Sequence, residues 1–131
     1  MVAKYTELGE LELAVLEHVW TAGPSDVKSV HEVVGTERDI SHNTVQSTLK
    51  RLWEKDLLDR HKEGHAFVYS PKVDRKEITE RRVEEVVEQL AGGEFDVALE
   101  AFVNLAERAG EETLERLESL VARRKSERGE D

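Results

Sequence analysis

Asn43, Thr44, Gln46, Ser47, Lys50 and Arg51 fall close together in the chain, and their side chains suit nucleic acid. Asn and Gln can hold adenine through N6 and N7, a Thr methyl meets the methyl of thymine, and Lys and Arg take phosphate or guanine. These residues lie in the stretch Ile40 to Trp53, ISHNTVQSTLKRLW. It contains no Asp or Glu, although 29 of the 131 residues are acidic and about three would be expected in a stretch of that length. A chain this acidic that clears carboxylates from one segment is presenting that segment to something negative. Ser41 and His42 open the same candidate surface. Arg60, Lys62 and His65 follow it and would touch backbone or minor groove.

Helical periodicity explains how the first group is displayed. Ser41 caps a helix whose buried face is Val45, Leu49, Leu52 and Trp53, with Leu57 closing the stripe, so the polar set occupies the opposite face. Before it, Thr6 caps a helix with Leu8, Leu11, Val15, Leu16, Val19 and Trp20 on one stripe, stopped by Ala22-Gly23-Pro24. Ser25 caps a second helix with Val27, Val30, Val33 and Val34 inward; Gly35 is placed as its left-handed stop, and Ile40 as a short extended step. From Leu58 the pattern becomes a hairpin, 58–62 and 66–70, turning at Gly64 and stopped by Pro71. Three helices and then a hairpin is the order of a winged helix-turn-helix, whose third helix enters the major groove.

After Pro71 the chain is charged helix. Asp74 caps a run to about Ala91 carrying Ile78, Val83, Val86, Val87 and Leu90, and Gly92-Gly93 breaks it. A segment from Glu94 to about Arg108 carries Phe95, Ala98, Leu99, Phe102, Val103 and Leu105. A third segment after Gly110 carries Leu114, Leu117, Leu120 and Val121, with fraying expected from Arg124. Short amphipathic helices have little to bury their stripes against within one chain. Val86, Leu90, Phe95, Leu99, Phe102, Leu114, Leu117, Leu120 and Val121 are therefore expected to pair with a second copy. The fold class is mainly α with a small β-hairpin wing. Residues 1–71 form the winged helix-turn-helix DNA-binding domain and 72–131 a helical dimerisation domain.

Composition removes other classes. The absence of cysteine excludes disulfide frameworks and thiolate metal sites. No apolar run is long enough to span a membrane and no secretory signal opens the chain, so the expected location is the cytoplasm. The net charge of -10 argues against DNA as a partner until its distribution is considered. Between Ser41 and Lys62 the balance reverses, Lys50, Arg51, Lys55, Arg60 and Lys62 outnumbering Glu54, Asp56 and Asp59. His61 and His65 flank a turn but lack a third ligand beyond Glu63, so they read as surface polar residues and no metal is expected. Ser25, Asp26, Ser29 and His31 share one short helix and do not converge as a hydrolytic set; the chain is read as no enzyme and as needing no cofactor. Trp20 and Trp53 close apolar stripes and read as core.

With these motifs placed, the sequence resembles the penicillinase-repressor (BlaI/MecI) family of bacterial transcriptional repressors. The likeness runs through LGELELAVLEHVW, SHNTVQSTLKRLWEKDLLDRHKEGHAFVYSP and LAGGEFDVALEAFVN. Its most specific part is the T-V-x-x-x-L-x-R-L-x-x-K-x-L-L helix running into a wing that ends Y-S-P. The resemblance implies a homodimer on a palindromic operator of double-stranded DNA, one winged domain per half-site, with the C-terminal helices intertwined. It also implies, for some members, a regulatory protease cutting before a Phe that follows Asn; the matching bond here is Ala101-Phe102. Asn43 and Gln46 replace residues that are basic in the best-known members, so the operator is not carried over. The cysteine cluster of copper-responsive relatives is missing.

Two rival readings remain open on the sequence. One is a ligand-sensing regulator of the MarR type, which needs an apolar pocket between domains. The other is a winged-helix docking module for a basic protein, which the net charge would suit. A steep fall of affinity with salt separates DNA binding from docking.

Overall fold

The first helix is secured at its start by Glu12, whose carboxylate reaches back to accept the Gly9 N–H at 3.0 Å, half of a capping box. The helix, α1, spans Glu10–Ala22 with Gly9 as its N-cap; Thr6, expected as the cap, lies outside the described residues. The computed structural model describes residues 8–90, 92 and 94–129. Two compact units result, residues 1–85 and 86–131.

In the first unit, α1 is followed by a two-residue strand, β1 (Ser25–Asp26), that the hydropathy pattern does not announce. Ser25 pairs with Tyr69 in this strand, and its hydroxyl donates to the Gly23 carbonyl at 2.8 Å. The cap of the second helix is therefore Asp26, not Ser25: its carboxylate accepts the Ser29 N–H at 2.8 Å. The helical segments Val27–Val30, His31–Gly35 and Thr36–Arg38 run on as one irregular helix, α2 (27–38). Its middle is a π-type turn, closed by the Thr36 N–H on the His31 carbonyl. The inserted residue shifts the phase, so Val30 and Val34 face the core while Val33 is 45% exposed.

Gly35 does not stop this helix in a left-handed conformation. Its φ of -63° is right-handed, and the left-handed residue is Asp39, with φ 53°. Gly35 is needed for room, since a Cβ there would lie 2.3 Å from Cδ2 of His31. Ile40 makes no strand; it is half-buried against the core, and its N–H bonds to the Gly35 carbonyl at 3.0 Å.

The helix α3 spans His42–Glu54 with Ser41 as N-cap, as expected. Strands β2 (Leu58–Glu63) and β3 (Ala66–Pro71) form the hairpin, turning through Gly64 at φ 65°. The sheet is antiparallel in the order β1-β3-β2, with Arg60 opposite Tyr69 and Lys62 opposite Phe67. Three helices and this wing enclose one core of Val15, Leu16, Val19, Val30, Val45, Leu49, Leu52, Leu57 and Leu58, each at most 1% exposed. Burying each such side chain contributes about 1.5–3 kcal/mol. The unit runs past residue 71 because Val73 and Ile78 are buried in the same core and the Trp20 indole donates to the Val73 carbonyl at 2.8 Å. Ile78 lies on α4 (Arg75–Leu90), capped by Asp74, which accepts the Glu77 N–H at 2.8 Å.

The second unit contains α5 (Phe95–Ala109) and α6 (Glu111–Glu127). Its buried hydrophobic residues, among those described, are Ala98 and Ala106. Leu90 is 82% and Phe95 70% exposed; Val86, Leu99, Phe102, Leu120 and Val121 are also exposed, and Leu114 and Leu117 are half-buried. An open groove of about 570 Å³ is lined by Val103, Leu114, Leu117 and Val121, with Glu111, Glu115 and Glu118 beside them. The helix α6 continues past Arg124, where fraying was expected to begin, to Glu127. Glu111 and Glu112 at its start and Arg124 and Lys125 at its end complement the helix dipole. Among the described residues no helix is long and apolar enough to cross a membrane.

Candidate nucleic-acid interface

The N-terminal turn of α3 is fixed by Ser41, whose Oγ accepts the Thr44 N–H at 3.1 Å and lies 3.0 Å from Thr44 Oγ1. Val45, Leu49 and Leu52, fully buried, clamp the inner face, and the Thr48 hydroxyl, also buried, donates to the Thr44 carbonyl at 2.8 Å. The register of the helix thus has no freedom to rotate. His42, Asn43, Thr44, Gln46, Ser47, Lys50 and Arg51 are consequently all exposed, as is Ser41. Lys50 forms no ion pair among the described residues. An exposed helix face of amides, hydroxyls and one unpaired cation can hydrogen-bond a flat polar edge and meet a phosphate alongside it.

Arg51 is differently placed. Its Nε lies 3.4 Å from Oε2 of Glu12, and Lys55 Nζ is 2.8 Å from the same oxygen. Burial pushes the Glu12 carboxyl up, but the Gly9 N–H, the Lys55 ammonium and the Arg51 guanidinium outweigh it and hold the pKa below the ordinary carboxylate value. Glu12 therefore stays ionised and ties α1 to the C-terminal half of α3. Arg51 retains 53% side-chain exposure, enough to reach outward as well.

On the wing, Lys62 and His65 are exposed and Arg60 is half-buried. The Arg60 guanidinium lies 3.6 Å from the Trp53 ring centroid and 4.0 Å from that of Phe67, and its Nη1 donates to the Tyr69 hydroxyl at 3.3 Å. Trp53 is thus not a core residue: it is 37% exposed, because the buried stripe is completed one position earlier, at Leu52. Lys62 Nζ stands 5.4 Å from the Phe67 ring. His61 Nε2 lies 2.7 Å from Glu63 Oε2, and among the described residues no group of three or more His, Asp or Glu could hold a metal.

The structure brings α3 and the base of the wing together through Trp53 and Arg60. Sequence reasoning missed Glu12 as the partner of Arg51, and Trp53 and Phe67 as partners of Arg60. A usable signal existed for Phe67, since hairpin register places it across from Lys62 and diagonal to Arg60. The nine apolar residues expected to pair with a second copy are exposed or half-buried.

The sequence profile of a family described as penicillinase repressor matches residues 8–123. The chain is 33% identical over 123 residues to the transcriptional regulator BlaI of Mycobacterium tuberculosis, covering 92% of this chain and 87% of that protein. It is 27% identical over 109 residues to the penicillinase repressor of Bacillus licheniformis, covering 83% and 85%. Among solved structures, the DNA binding domain of the repressor BlaI in solution matches with a TM-score of 0.49 and 32% identity, covering 53% of this chain and 84% of that domain.

Proposed function

The chain belongs to the penicillinase repressor family, and from that premise we propose that it is a sequence-specific transcriptional repressor acting as a homodimer on an inverted-repeat operator in the cytoplasm. The observation that carries this reading is the outer face of α3, exposed and free of carboxylates from His42 to Trp53, with Glu54 only at its last residue, and backed by a buried inner face. Asn43 and Gln46 read bases; Ser41, His42, Thr44 and Ser47 line the approach; Lys50 and Arg51 neutralise phosphate. Lys62 and His65 extend the contact from the wing. Residues 1–71 provide the elements that meet DNA and 72–131 assemble the dimer, through the apolar residues that one chain leaves uncovered.

The acidic remainder of the surface is part of the same reading. It repels DNA everywhere except at the cleared face, which favours one docking orientation. A regulatory protease acting at Ala101-Phe102 would find the bond mid-helix in α5, so cutting there requires local unwinding of that helix first.

Selection of duplexes from a random pool by the full chain tests the proposal. An inverted repeat should be enriched, and its affinity should fall linearly in log–log form with salt, with a slope of about -0.9 per phosphate neutralised. A docking module would enrich nothing.

A further inference from the structure

Arg60 is the last residue of β2 that is even half-buried; from His61 to Ala66 every residue of the hairpin is exposed. We propose that Arg60 is a positioning residue, which holds the wing against the reading helix through the Trp53–Arg60–Phe67 stack and does not itself contact DNA. The inference rests on the reading that α3 and the wing bind duplex DNA together.

The guanidinium has rings 3.6 Å and 4.0 Å from its carbon, so it is flanked by Trp53 of α3 and Phe67 of β3. Its Nη1 is committed to the Tyr69 hydroxyl, on the residue that faces Arg60 across the hairpin. A planar, weakly hydrated ion can be stacked in this way, whereas an ammonium cannot. Three elements, α3, β2 and β3, therefore meet on one side chain. Lys62, two residues further along the same strand, is exposed at the outer edge of the stack, its Nζ 5.4 Å from the Phe67 ring, so its reach depends on where the stack puts the tip. A cation spent on two rings is a poor phosphate ligand; a cation just outside them is a good one.

Arg60→Lys separates the two roles, since it keeps the charge and loses the plane. Affinity for the selected duplex should fall about tenfold in Arg60→Lys, a loss of the size expected for a double cation–π contact, and the salt slope should fall by about the one unit that Lys62 supplies, since its phosphate contact is lost with the stack. Phe67→Leu, which leaves every charge in place, should lose a similar factor. In the Arg60→Lys background, Lys62→Ala should cost little more, although alone it lowers both affinity and slope. In the DNA-free protein the Arg60 side-chain protons should be ring-current shifted upfield, and Phe67→Leu should reduce that shift.

If Arg60→Lys binds as the wild type does, while Arg60→Met loses affinity and about one unit of salt slope, Arg60 is a phosphate ligand and the proposal is overturned. Absence of the ring-current shift in the free wild-type protein overturns it as well. Failure of the wild type to bind any duplex with a steep salt slope defeats the functional reading itself, an outcome distinct from both.

Discussion

The two compact units of this chain treat their apolar residues in opposite ways. In residues 1–85, three helices and a hairpin close over leucines and valines that are wholly buried, whereas in residues 86–131 two helices bury alanines and leave Leu90, Phe95, Leu99 and Leu105 more than half exposed. Composition does not explain this, because both regions carry regular apolar stripes. The difference lies in the number of surfaces available: α1, α2, α3 and the sheet cover one another, while α5 and α6 offer each other one narrow seam. A monomer therefore satisfies the first unit and leaves the second incomplete.

Charging the second unit should produce the largest effect. Phe102→Asp or Leu117→Asp is expected to split the proposed homodimer, seen by sedimentation, because an unpaired charge would not be tolerated in an apolar interface. Operator affinity should then drop by about 10² to 10⁴, the gain lost when two half-sites are no longer linked. A dimer that survives both substitutions breaks the comparison.

Truncating the first core comes next. Leu49→Ala should cost about 2–5 kcal/mol in denaturant unfolding at any protein concentration. Leu105→Ala in the second unit should cost less than about 0.5 kcal/mol in dilute protein, as expected for a surface position. Equal losses would mean that the two units are not differently packed.

Smaller still are the contacts on the reading face. Asn43→Ala and Gln46→Ala should each lose about 1–3 kcal/mol on the preferred duplex and far less on random DNA, measured by fluorescence anisotropy at fixed salt. Thermal stability should be unchanged, since neither side chain touches the core.

Acid should weaken the first unit mildly. Glu12 is held below its ordinary value as described above, and Asp26 is held low chiefly by the Ser29 N–H and then by the Ser29 hydroxyl. Depressed carboxylates contribute stability that is fully present above their unfolded values, near 4.5 and 3.8, and is lost as pH falls through the lower folded values. Asp26→Ala should remove part of that dependence together with about 1 kcal/mol of capping, read from urea midpoints between neutral and acid pH.

Much of this was legible in the residues themselves. The period of Val45, Leu49 and Leu52 dictated which face of α3 is buried, and the acid-free run singled out the other face as the one proposed to meet DNA. The hairpin followed from Gly64 and the β-branched, aromatic second strand. The missing details are those decided at a distance. Ser25 looked like a cap because nothing local reveals that it pairs with Tyr69. Val33 looked buried because a π-type turn shifts the helical phase without a sequence mark. Trp53 looked like core because an indole on an apolar stripe gives no sign that a guanidinium seven residues on will cover it. Each error exchanged a local preference for a tertiary contact.

The close approach of Gly35 to the His31 ring has a consequence for how this protein can vary. Two side-chain volumes share one space, so position 35 is open to a larger residue only after position 31 has become smaller. His31→Ala removes the imidazole that bonds to the Ile40 carbonyl at 3.1 Å and at the same time vacates the space that a Cβ at position 35 would fill. Genetically, the pair is expected to behave as a site of intragenic suppression: Gly35→Ala should be disruptive against the native histidine and tolerated beside an alanine, so that position 35 can change only after position 31 has.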